Sequence, residues 1–363
     1  TGAWSLNHPD RLTASLDLYL SELHDAYPEL SGTLKGDFSF AGDFKKPLLS
    51  GNIVGRDIKG CGLTLSALDV KADHNEVQTT EFLTSLKNLQ FNEFMLKSAK
   101  VQLYAEKIEQ FDFSTHIQNI VDKNKTLVDD IKLTSVGTLG DHKIQLSVRS
   151  IFNTTDFEGI GHINTESFKD WSLDINKLDV YSDIIGRYKL SKPATLHVAP
   201  EHINLSMLCL EELPTTFCMQ GMRDEENIYG SVVLRKLQPK KLNSILPDEI
   251  QVNTTADLVV SGQFIDTKNF KGIVDVSLSN GEVRYRLHGY ELKVPLKTTK
   301  AVIHAQPAEI TTQVNVDWGD YLQIHGGGQM REPFGEQLVD VMIEGKAQTL
   351  RWILPIVPSL QKF

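Results

Sequence analysis

The chain has 363 residues, of which 40% are hydrophobic and 23% are charged, and its formal net charge is −10. This length suits two or three folded domains, and the composition excludes an intrinsically disordered chain. The acidic balance argues against nucleic-acid binding and against adsorption to an anionic membrane surface, because both need a basic face.

The chain contains no run of about 18 apolar residues, so no membrane-spanning helix is predicted. It starts without Met, and its last segment, "TLRWILPIVPSL", stops where strands should follow. We therefore expect a fragment of a longer protein.

The first predicted element is a short helical connector, "LYLSELHDAYPEL", which ends near Pro28. Strands follow it in "SGTLKGDFSFAGDFKKPLLSG", where Leu34, Phe38 and Phe40 alternate with small or charged residues. The segments "LDVYSDIIGRY" and "LRKLQPKKLNSILPDE" have the same connector character as the first. The pattern therefore predicts a few short helices between long series of strands.

The middle and end of the chain repeat a period of two, which is typical of half-buried strands. Examples are "KIQLSVRS" and "AEITTQVNVDW". "ATLHVAPEHINL" predicts a hairpin, and "GIVDVSLSNGEVRYRL" predicts another with its turn at Asn280–Gly281. "YLQIHGGGQM" and "LVDVMIEG" continue the series.

The cysteines are Cys61, Cys209 and Cys218. A turn at Pro214 would bring Cys209 and Cys218 together, and closing so small a loop would contribute roughly 2.5–3 kcal/mol in the chain-entropy model. Spacing alone leaves a disulfide and two buried thiols equally open. Cys61 has no partner in the sequence.

No constellation supports catalysis or cofactor binding, so neither an enzyme nor a cofactor is predicted. "HGGG" at 325–328 is similar to an oxyanion loop, but the nucleophile turn that this chemistry needs is absent. A bulge or bend in a strand is the better interpretation. The histidines show no metal-binding spacing.

About twenty alternating strands would make one very long antiparallel sheet. Such a sheet either curls into an apolar trough about 100 Å long, or folds over and packs a dry core. Alternation does not separate these outcomes, and pattern alone favours the packed core.

The stretch "LSELHDAYPELSGTLKGDFSFAGDFKKPLLSGNIVGRDIKGCGLTLSALDVKAD" resembles a repeat of the TamB family, AsmA-like proteins of the translocation and assembly module. The resemblance lies in a leucine-rich connector, then "G-x-L-x-G", "G-x-x-x-x-P-x-x-x-G" and "G-L-x-L-x-x-L". Thr267–Asn269 replaces an expected proline in the second repeat.

The resemblance implies an all-β fold: a long, curled, mainly antiparallel sheet, a β-taco or repeating β-groove, with an apolar inner face and a few connector helices. It implies one continuous segment over 1–363, with repeat units at about 16–230 and 231–345 and a third starting at 346–363. It also implies a periplasmic setting, with an inner-membrane anchor outside this fragment, which favours the disulfide between Cys209 and Cys218.

The function implied is a conduit for phospholipid acyl chains between the two membranes. The implied partner is the TamA outer-membrane barrel, through a C-terminal region not in this fragment. The residues expected to line the groove are Leu34, Phe38, Phe40, Ile144, Leu146, Val148, Leu173, Ile175, Leu196, Val198, Ile203, Leu205, Leu258, Val260, Val274, Val276, Leu278, Val283, Tyr285, Leu287, Ile310, Val314, Val316, Leu322, Ile324, Val339, Val341 and Ile343.

Two other functions share the same apolar face. A scaffold could hold segments of outer-membrane proteins by strand addition. A purely structural stalk would require a filled core with no room for a ligand.

Overall fold

The structure is a computed structural model that describes residues 2–4, 11–43, 46–75, 79–106, 110–123, 125–183, 185–238, 249–266, 268–287, 290–319 and 322–347. The chain divides into two compact units, Thr1–Val180 and Tyr181–Phe363. Every strand pairing whose register is described is antiparallel. The predicted all-β, antiparallel fold class is confirmed.

Unit 1 consists of strands and one short 3-10 helix, Leu23–Asp25. The strands are β1 (Gly2–Trp4), β2 (Arg11–Leu20), β3 (Ser31–Asp43), β4 (Lys46–Gly60), β5 (Leu63–His74), β6 (Thr79–Phe91), β7 (Phe94–Glu106), β8 (Gln110–Asp122), β9 (Lys125–Thr138), β10 (His142–Arg149), β11 (Asn153–Ile163) and β12 (Trp171–Ser182), which crosses the boundary. From β2 to β11 each strand pairs with the next one in the chain. This meander keeps connections short, as antiparallel strands allow.

A 31-residue period runs through the middle of unit 1. Three strand connections each contain a residue with positive φ, at positions 61, 92 and 123, namely Cys61, Asn92 and Lys123. Four residues before each of these lies a second positive-φ residue, namely Asp57, Asn88 and Asn119. Most of the six are Asn or Asp, which tolerate the left-handed region better than other residues.

The second set of positive-φ residues interrupts the strand ladder. Arg56 pairs with Ala67 and Ile58 with Leu65, so Asp57 is skipped together with the residue opposite it. A Cβ placed on Gly55 would lie 2.8 Å from Cδ1 of Ile58. The interruption therefore turns Ile58 to the side of the sheet that Gly55 occupies, as irregularities of this kind do.

Unit 2 contains β13 (Gly186–Leu190), β14 (Ala194–Val198), β15 (His202–Glu212), β16 (Thr215–Asp224), β17 (Asn227–Leu237), β18 (Ile250–Asn253), β19 (Ala256–Asp266), β20 (Asn269–Leu278), β21 (Gly281–Leu287), β22 (Tyr290–Leu296), β23 (Thr299–Ala305), β24 (Glu309–Asp317), β25 (Gln323–Arg331) and β26 (Leu338–Lys346). The larger sheet of this unit runs in the order β14, β15, β16, β17, β19, β20, β23, β24, β25 and β26. The predicted hairpin of "ATLHVAPEHINL" is confirmed, because Leu196 pairs with Leu205 and Val198 with Ile203.

The predicted hairpin at Asn280–Gly281 is wrong. Strand β20 pairs with β19 and β23, whereas β21 pairs with β18 and β22 in a separate three-stranded sheet. Strand β20 ends at Leu278, and after Ser279–Asn280 the chain continues as β21 in the other sheet. The dipeptide favours a tight turn locally, but the pairing of β21 with β18 and with the following strand, β22, overrides this preference.

Where the structure describes the expected connectors, it shows little helix. In 18–30 only Leu23–Asp25 is helical, and the described residues of 178–188 form the end of β12, turn residues and the start of β13. In 234–249 the strand β17 continues to Leu237, and 239–248 and 349–360 lie outside the described residues. Helices this short are marginal, and strand pairing satisfies more backbone groups.

Cys209 and Cys218 face each other directly on β15 and β16, and their sulfur atoms are bonded. Cys61 is free and exposed. The repeat boundaries expected near 230 and 345 stay a prediction. Within the described part of the chain, no helix has the length and apolar character that crossing a bilayer demands.

Candidate functional site

One side of the unit 1 sheet is apolar across ten consecutive strands. Residues that pair directly in an antiparallel sheet point to the same side, so the register can be followed from strand to strand. A row taken from β2 to β11 reads Leu18, Gly36, Ile53, Val70, Thr84, Val101, Thr115, Leu133, Leu146 and Phe157. We call this side the unit 1 face.

The unit 1 face carries no carboxylate, ammonium or guanidinium group among its described members. These members are Ala14, Leu16, Leu18, Leu20, Leu34, Gly36, Phe38, Phe40, Leu49, Gly51, Ile53, Gly55, Leu68, Val70, Ala72, His74, Thr80, Phe82, Thr84, Leu86, Ala99, Val101, Leu103, Ala105, Phe111, Phe113, Thr115, Ile117, Ile131, Leu133, Ser135, Gly137, His142, Ile144, Leu146, Val148, Thr155, Phe157, Gly159 and Gly161. The described members of the face are therefore mostly apolar, with a few hydroxyl groups and two imidazoles.

Its glycines lie beneath larger side chains. A Cβ on Gly51 would lie 2.5 Å from Cδ1 of Phe38, and a Cβ on Gly159 would lie 2.9 Å from Cδ1 of Leu173. Leu173 therefore belongs to the same face, although it comes from β12. Large and small residues alternate so that the rings have room to lie against the sheet.

The opposite side of unit 1 is charged. Arg56 is 2.8 Å from Asp69, and Lys71 is 3.0 Å from Glu81. Glu158 accepts a hydrogen bond of 3.1 Å from Lys177, which is the main cause that lowers the pKa of Glu158. The two sides thus differ in charge.

A second polar cluster lies on the same charged side. Partial burial raises the pKa of Asp130, but hydrogen bonds from His116 and Lys132 outweigh it and hold this pKa below its usual value. The cluster favours the ionised carboxylate, and an ionised carboxylate belongs on a wet surface. No group of three or more His, Cys, Asp or Glu side chains in the described ranges is placed to hold a metal.

Unit 2 repeats this design in its larger sheet. In the strands of this sheet from β17 to β26, the described members of one side are all uncharged. These members are Ile228, Gly230, Val232, Leu234, Ala256, Leu258, Val260, Gly262, Phe264, Phe270, Gly272, Val274, Val276, Leu278, Thr299, Ala301, Ile303, Ala305, Ile310, Thr312, Val314, Val316, Ile324, Gly326, Gly328, Met330, Val339, Val341, Ile343 and Gly345. We call this side the unit 2 face.

The unit 2 face has a depression of about 400 Å³ over β24, β25 and β26. Its walls are apolar side chains such as Ile310, Val314 and Met330, and its floor contains Gly326 and Gly328. These glycines belong to the "HGGG" stretch, so their role here is to make space. The depression can hold a hydrocarbon and offers it no reactive group.

Few side chains are fully buried in either unit. The buried hydrophobic residues in the described ranges are Leu23, Leu65, Leu173, Ile175, Tyr188, Ala194, Leu208, Val294 and Leu296. On β26, Val339, Val341 and Ile343 are 57%, 65% and 69% exposed. This exposure leaves apolar surface accessible, whereas a packed core would remove it from water.

Most of the predicted groove residues lie on these two faces. Those on the unit 1 face are Leu34, Phe38, Phe40, Ile144, Leu146, Val148 and Leu173, while those on the unit 2 face are Leu258, Val260, Val274, Val276, Leu278, Ile310, Val314, Val316, Ile324, Val339, Val341 and Ile343. Ile175 is buried in β12, and Leu322 precedes β25. Whether any of them contacts lipid stays a prediction.

The remaining predicted residues lie outside the strands that define the unit 2 face. Leu196, Val198, Ile203 and Leu205 form the β14–β15 hairpin, and their register places them on the same side of the sheet as the unit 2 face. Arg223, which pairs with Ile203 and Ile228, is a charged residue on that side. Val283 and Tyr285 lie in the three-stranded sheet, opposite Val252 and Ile250, and Leu287 ends β21. The structure does not bring the β21 residues onto the unit 2 face.

Sequence reasoning missed several stretches of these faces, including β2, β11 and β23. It named no groove residue between Phe40 and Ile144, where the six strands β4 to β9 lie. It also missed β17, with Val232 and Leu234, because a helical connector was expected to begin there. The 31-residue spacing of Asp57, Asn88 and Asn119 is the signal that could have revealed β4 to β9.

The sequence of the chain was compared with models of known protein families. The family described as TamB, N-terminal domain, matches residues 79–363. The chain belongs to the TamB family. No curated protein and no solved structure matches it.

Membership of the TamB family places the chain among transport or assembly proteins that are periplasmic and membrane-associated. The family is not known for an enzymatic activity. The two uncharged faces agree with a role that needs a surface and no reactive group.

Proposed function

We propose that this TamB-family chain is part of a periplasmic conduit that carries phospholipids between the inner and outer membranes, with the acyl chains against the two apolar faces. The observation that carries the proposal is the set of uncharged residues that pair directly from strand to strand, over ten strands in unit 1 and seven in unit 2. The outer-membrane barrel TamA is the proposed partner, through a region outside this chain.

The continuity of each face matters energetically. Each methylene moved from water to an apolar surface contributes about 0.8 kcal/mol, so exposing two sixteen-carbon tails together would cost more than ~20 kcal/mol. A single charged side chain within the path would have to be desolvated as a tail passed it. A conduit for tails therefore needs an unbroken uncharged face and needs no nucleophile.

Photo-crosslinking at neighbouring positions tests the proposal. A photoreactive amino acid at Val314 would lie on the unit 2 face beside the depression, and one at Gln313 would lie on the opposite side of the same strand. We expect phospholipid adducts at position 314 in cells and few at position 313. Equal yields at the two positions would argue against the proposal.

A specific observation favours a second candidate, a scaffold for segments of outer-membrane proteins. In the described residues β26 pairs only with β25, and Leu338, Val341 and Met342 are more than half exposed. An open, apolar strand edge can accept an added strand. Mass spectrometry of the purified chain separates the two candidates, because bound phospholipid supports the conduit and bound peptide without lipid supports the scaffold.

A further inference from the structure

Unit 2 has a second cavity, of about 500 Å³, that lies away from the unit 2 face. Its lining falls into three parallel rows that cross β15, β16, β17, β19 and β20. The middle row is Leu205, Gly221, Gly230, Gly262 and Gly272, which pair directly from strand to strand. The flanking rows are the neighbours of these residues in each strand.

The flanking rows show on which side of the sheet the cavity opens. Side chains one position from the middle row, such as Tyr229 and Ser231, point away from the unit 2 face. Side chains two positions away, such as Val232 and Val260, would wall any cavity on the unit 2 face, and they do not line this one. The cavity therefore opens on the polar side, with the backbone of the middle row as its floor.

The walls are rich in uncharged hydrogen-bonding groups. The amides of Asn204 and Gln220 and the hydroxyls of Ser231 and Ser261 line the cavity and have no hydrogen-bond partner among the described residues. Such groups can both donate and accept. They are available to a ligand that offers many hydroxyl or amide groups.

An aromatic ring is fixed beside these groups. Gln263 donates a hydrogen bond of 3.1 Å to the hydroxyl of Tyr229, which holds the ring at the cavity while leaving it 38% exposed. Met222 adds apolar surface next to it. A ring with one apolar face and a polar tip suits a ligand that is apolar on one side and polar at its rim.

The cavity lining carries little charge, which argues against a strongly anionic or cationic ligand. Lys271 is the one charged residue of the lining, and it has no salt-bridge partner in the described part of the chain. A single exposed lysine is a weak anion site, and the lining contains no carboxylate that could bind a cation. The volume falls within the range of about 300–1,000 Å³ that is usual for small-ligand sites.

We propose that this cavity binds a neutral oligosaccharide. One sugar ring stacks on Tyr229, and the hydroxyl or amide groups of the sugar form hydrogen bonds with Asn204, Gln220, Ser231, Ser261 and Gln263. The site is separate from the proposed lipid path, because its side chains lie on the other side of the sheet. It gives the polar side of the chain a function of its own, attachment to a glycan.

Calorimetric titration of the whole chain with chitotetraose and with cellotetraose tests the proposal. We expect saturable binding of at least one of them, weakened at least tenfold by Tyr229→Ala and less than about threefold by Tyr229→Phe, which keeps the ring. Gln313→Ala, on the same polar side but outside the cavity, is the matched control and should bind as the wild type does. Binding of both sugars indicates recognition through hydroxyl groups, and binding of chitotetraose alone indicates that the acetamido groups are recognised.

Three results would each overturn the proposed glycan site. The first is no saturable binding of either sugar up to about 10 mM, and the second is sugar binding that Tyr229→Ala leaves unchanged. The third is binding of glycerol 3-phosphate that is tighter than that of either sugar and that Lys271→Ala abolishes. Photo-crosslinking of lipid at position 314 should be the same in Tyr229→Ala and wild type. Failure of the glycan site and failure of the conduit are therefore distinguishable.

Discussion

Single residues decide which side of each strand stays free of charge. Val314 and Gln313 are adjacent in β24, yet Val314 lines the apolar depression and Gln313 pairs with Gly327 and Val302 on the other side. The alternation of side chains in a strand makes this pair a sensitive comparison.

We expect Val314→Glu to abolish phospholipid recovery with the purified chain, because a carboxylate would have to be desolvated beneath a passing tail. Gln313→Glu adds the same charge on the polar side and should leave recovery unchanged. Lipid can be quantified by mass spectrometry after native purification, with circular dichroism to verify folding. Normal recovery with Val314→Glu would mean that lipid does not pass this strand.

The charged side of unit 1 predicts a dependence on pH. Lys177 and Lys143 lie 3.1 and 3.7 Å from Glu158, and they hold the pKa of Glu158 below its usual value of 4.5. The stabilisation is therefore present above pH 4.5 and is lost as the pH falls through the lowered pKa. Because these groups are exposed, the effect on overall stability should be small.

We expect Lys177→Met to raise the pKa of Glu158 toward 4.5, since the main hydrogen bond to the carboxylate is lost. Carbon-detected NMR titration of labelled glutamate carboxyls measures this directly. Lys169→Met, which removes a lysine outside this cluster, should leave the titration of Glu158 unchanged. A Glu158 titration curve identical in wild type and Lys177→Met would exclude the assigned cause.

At the scale of the elements, the paired strands of unit 1 share a repeated irregularity, a position at which the strand pairing skips one residue on each strand. Asn88 has φ of +50° and is skipped in the pairing of β6 with β7, as is Lys97 opposite it. Beyond the interruptions an apolar row resumes, consisting of Ile58, Leu65, Leu89, Leu96, Ile120 and Val128. The left-handed residues thus let each strand keep its apolar residues in line past the bulge.

We expect Asn88→Val to lower the free energy of local opening of β6 and β7 by about 1–2 kcal/mol, because a β-branched residue is strained at positive φ. Amide hydrogen exchange in these strands should then be roughly 5–30 times faster. Lys97→Val places the same side chain opposite Asn88 at ordinary φ and should change exchange little. Equal effects of the two substitutions would show that side-chain contacts, not backbone strain, govern this position.

At the scale of the whole molecule, we expect the disulfide to stabilise unit 2 and not unit 1. The bond between Cys209 and Cys218 closes a loop with a sequence separation of 9, and it joins β15 to β16 in unit 2. In the chain-entropy model such a loop contributes about 2.5–3 kcal/mol. Unit 1 contains no residue of this loop.

We expect the double variant Cys209→Ala and Cys218→Ala to speed hydrogen exchange in β15, β16 and β17 while exchange in β3 to β9 stays the same. Cys61→Ala removes the free, exposed thiol and is the matched control, which should change neither region. Faster exchange throughout both units would show that the chain unfolds as one cooperative body instead.

The sequence by itself determined the strand content, the two-sided character of each strand and the absence of charge on one side. These properties depend on the alternation of neighbouring residues such as Ile310, Thr312 and Val314, and that alternation is local. The β14–β15 hairpin was predictable for the same reason. The resemblance to the TamB family was readable from the order of Gly, Leu and Pro motifs.

Only the tertiary structure decided which strands are neighbours and hence which side chains share a face. Asn280–Gly281 favours a turn, but the pairing of β21 with β18 and β22 places Val283 and Tyr285 in another sheet. The row of Gly221, Gly230, Gly262 and Gly272 likewise exists only in the register of four strands. The pairings of β18 with β21 and of β17 with β19 join strands that are not consecutive in the chain, so no local pattern specifies them.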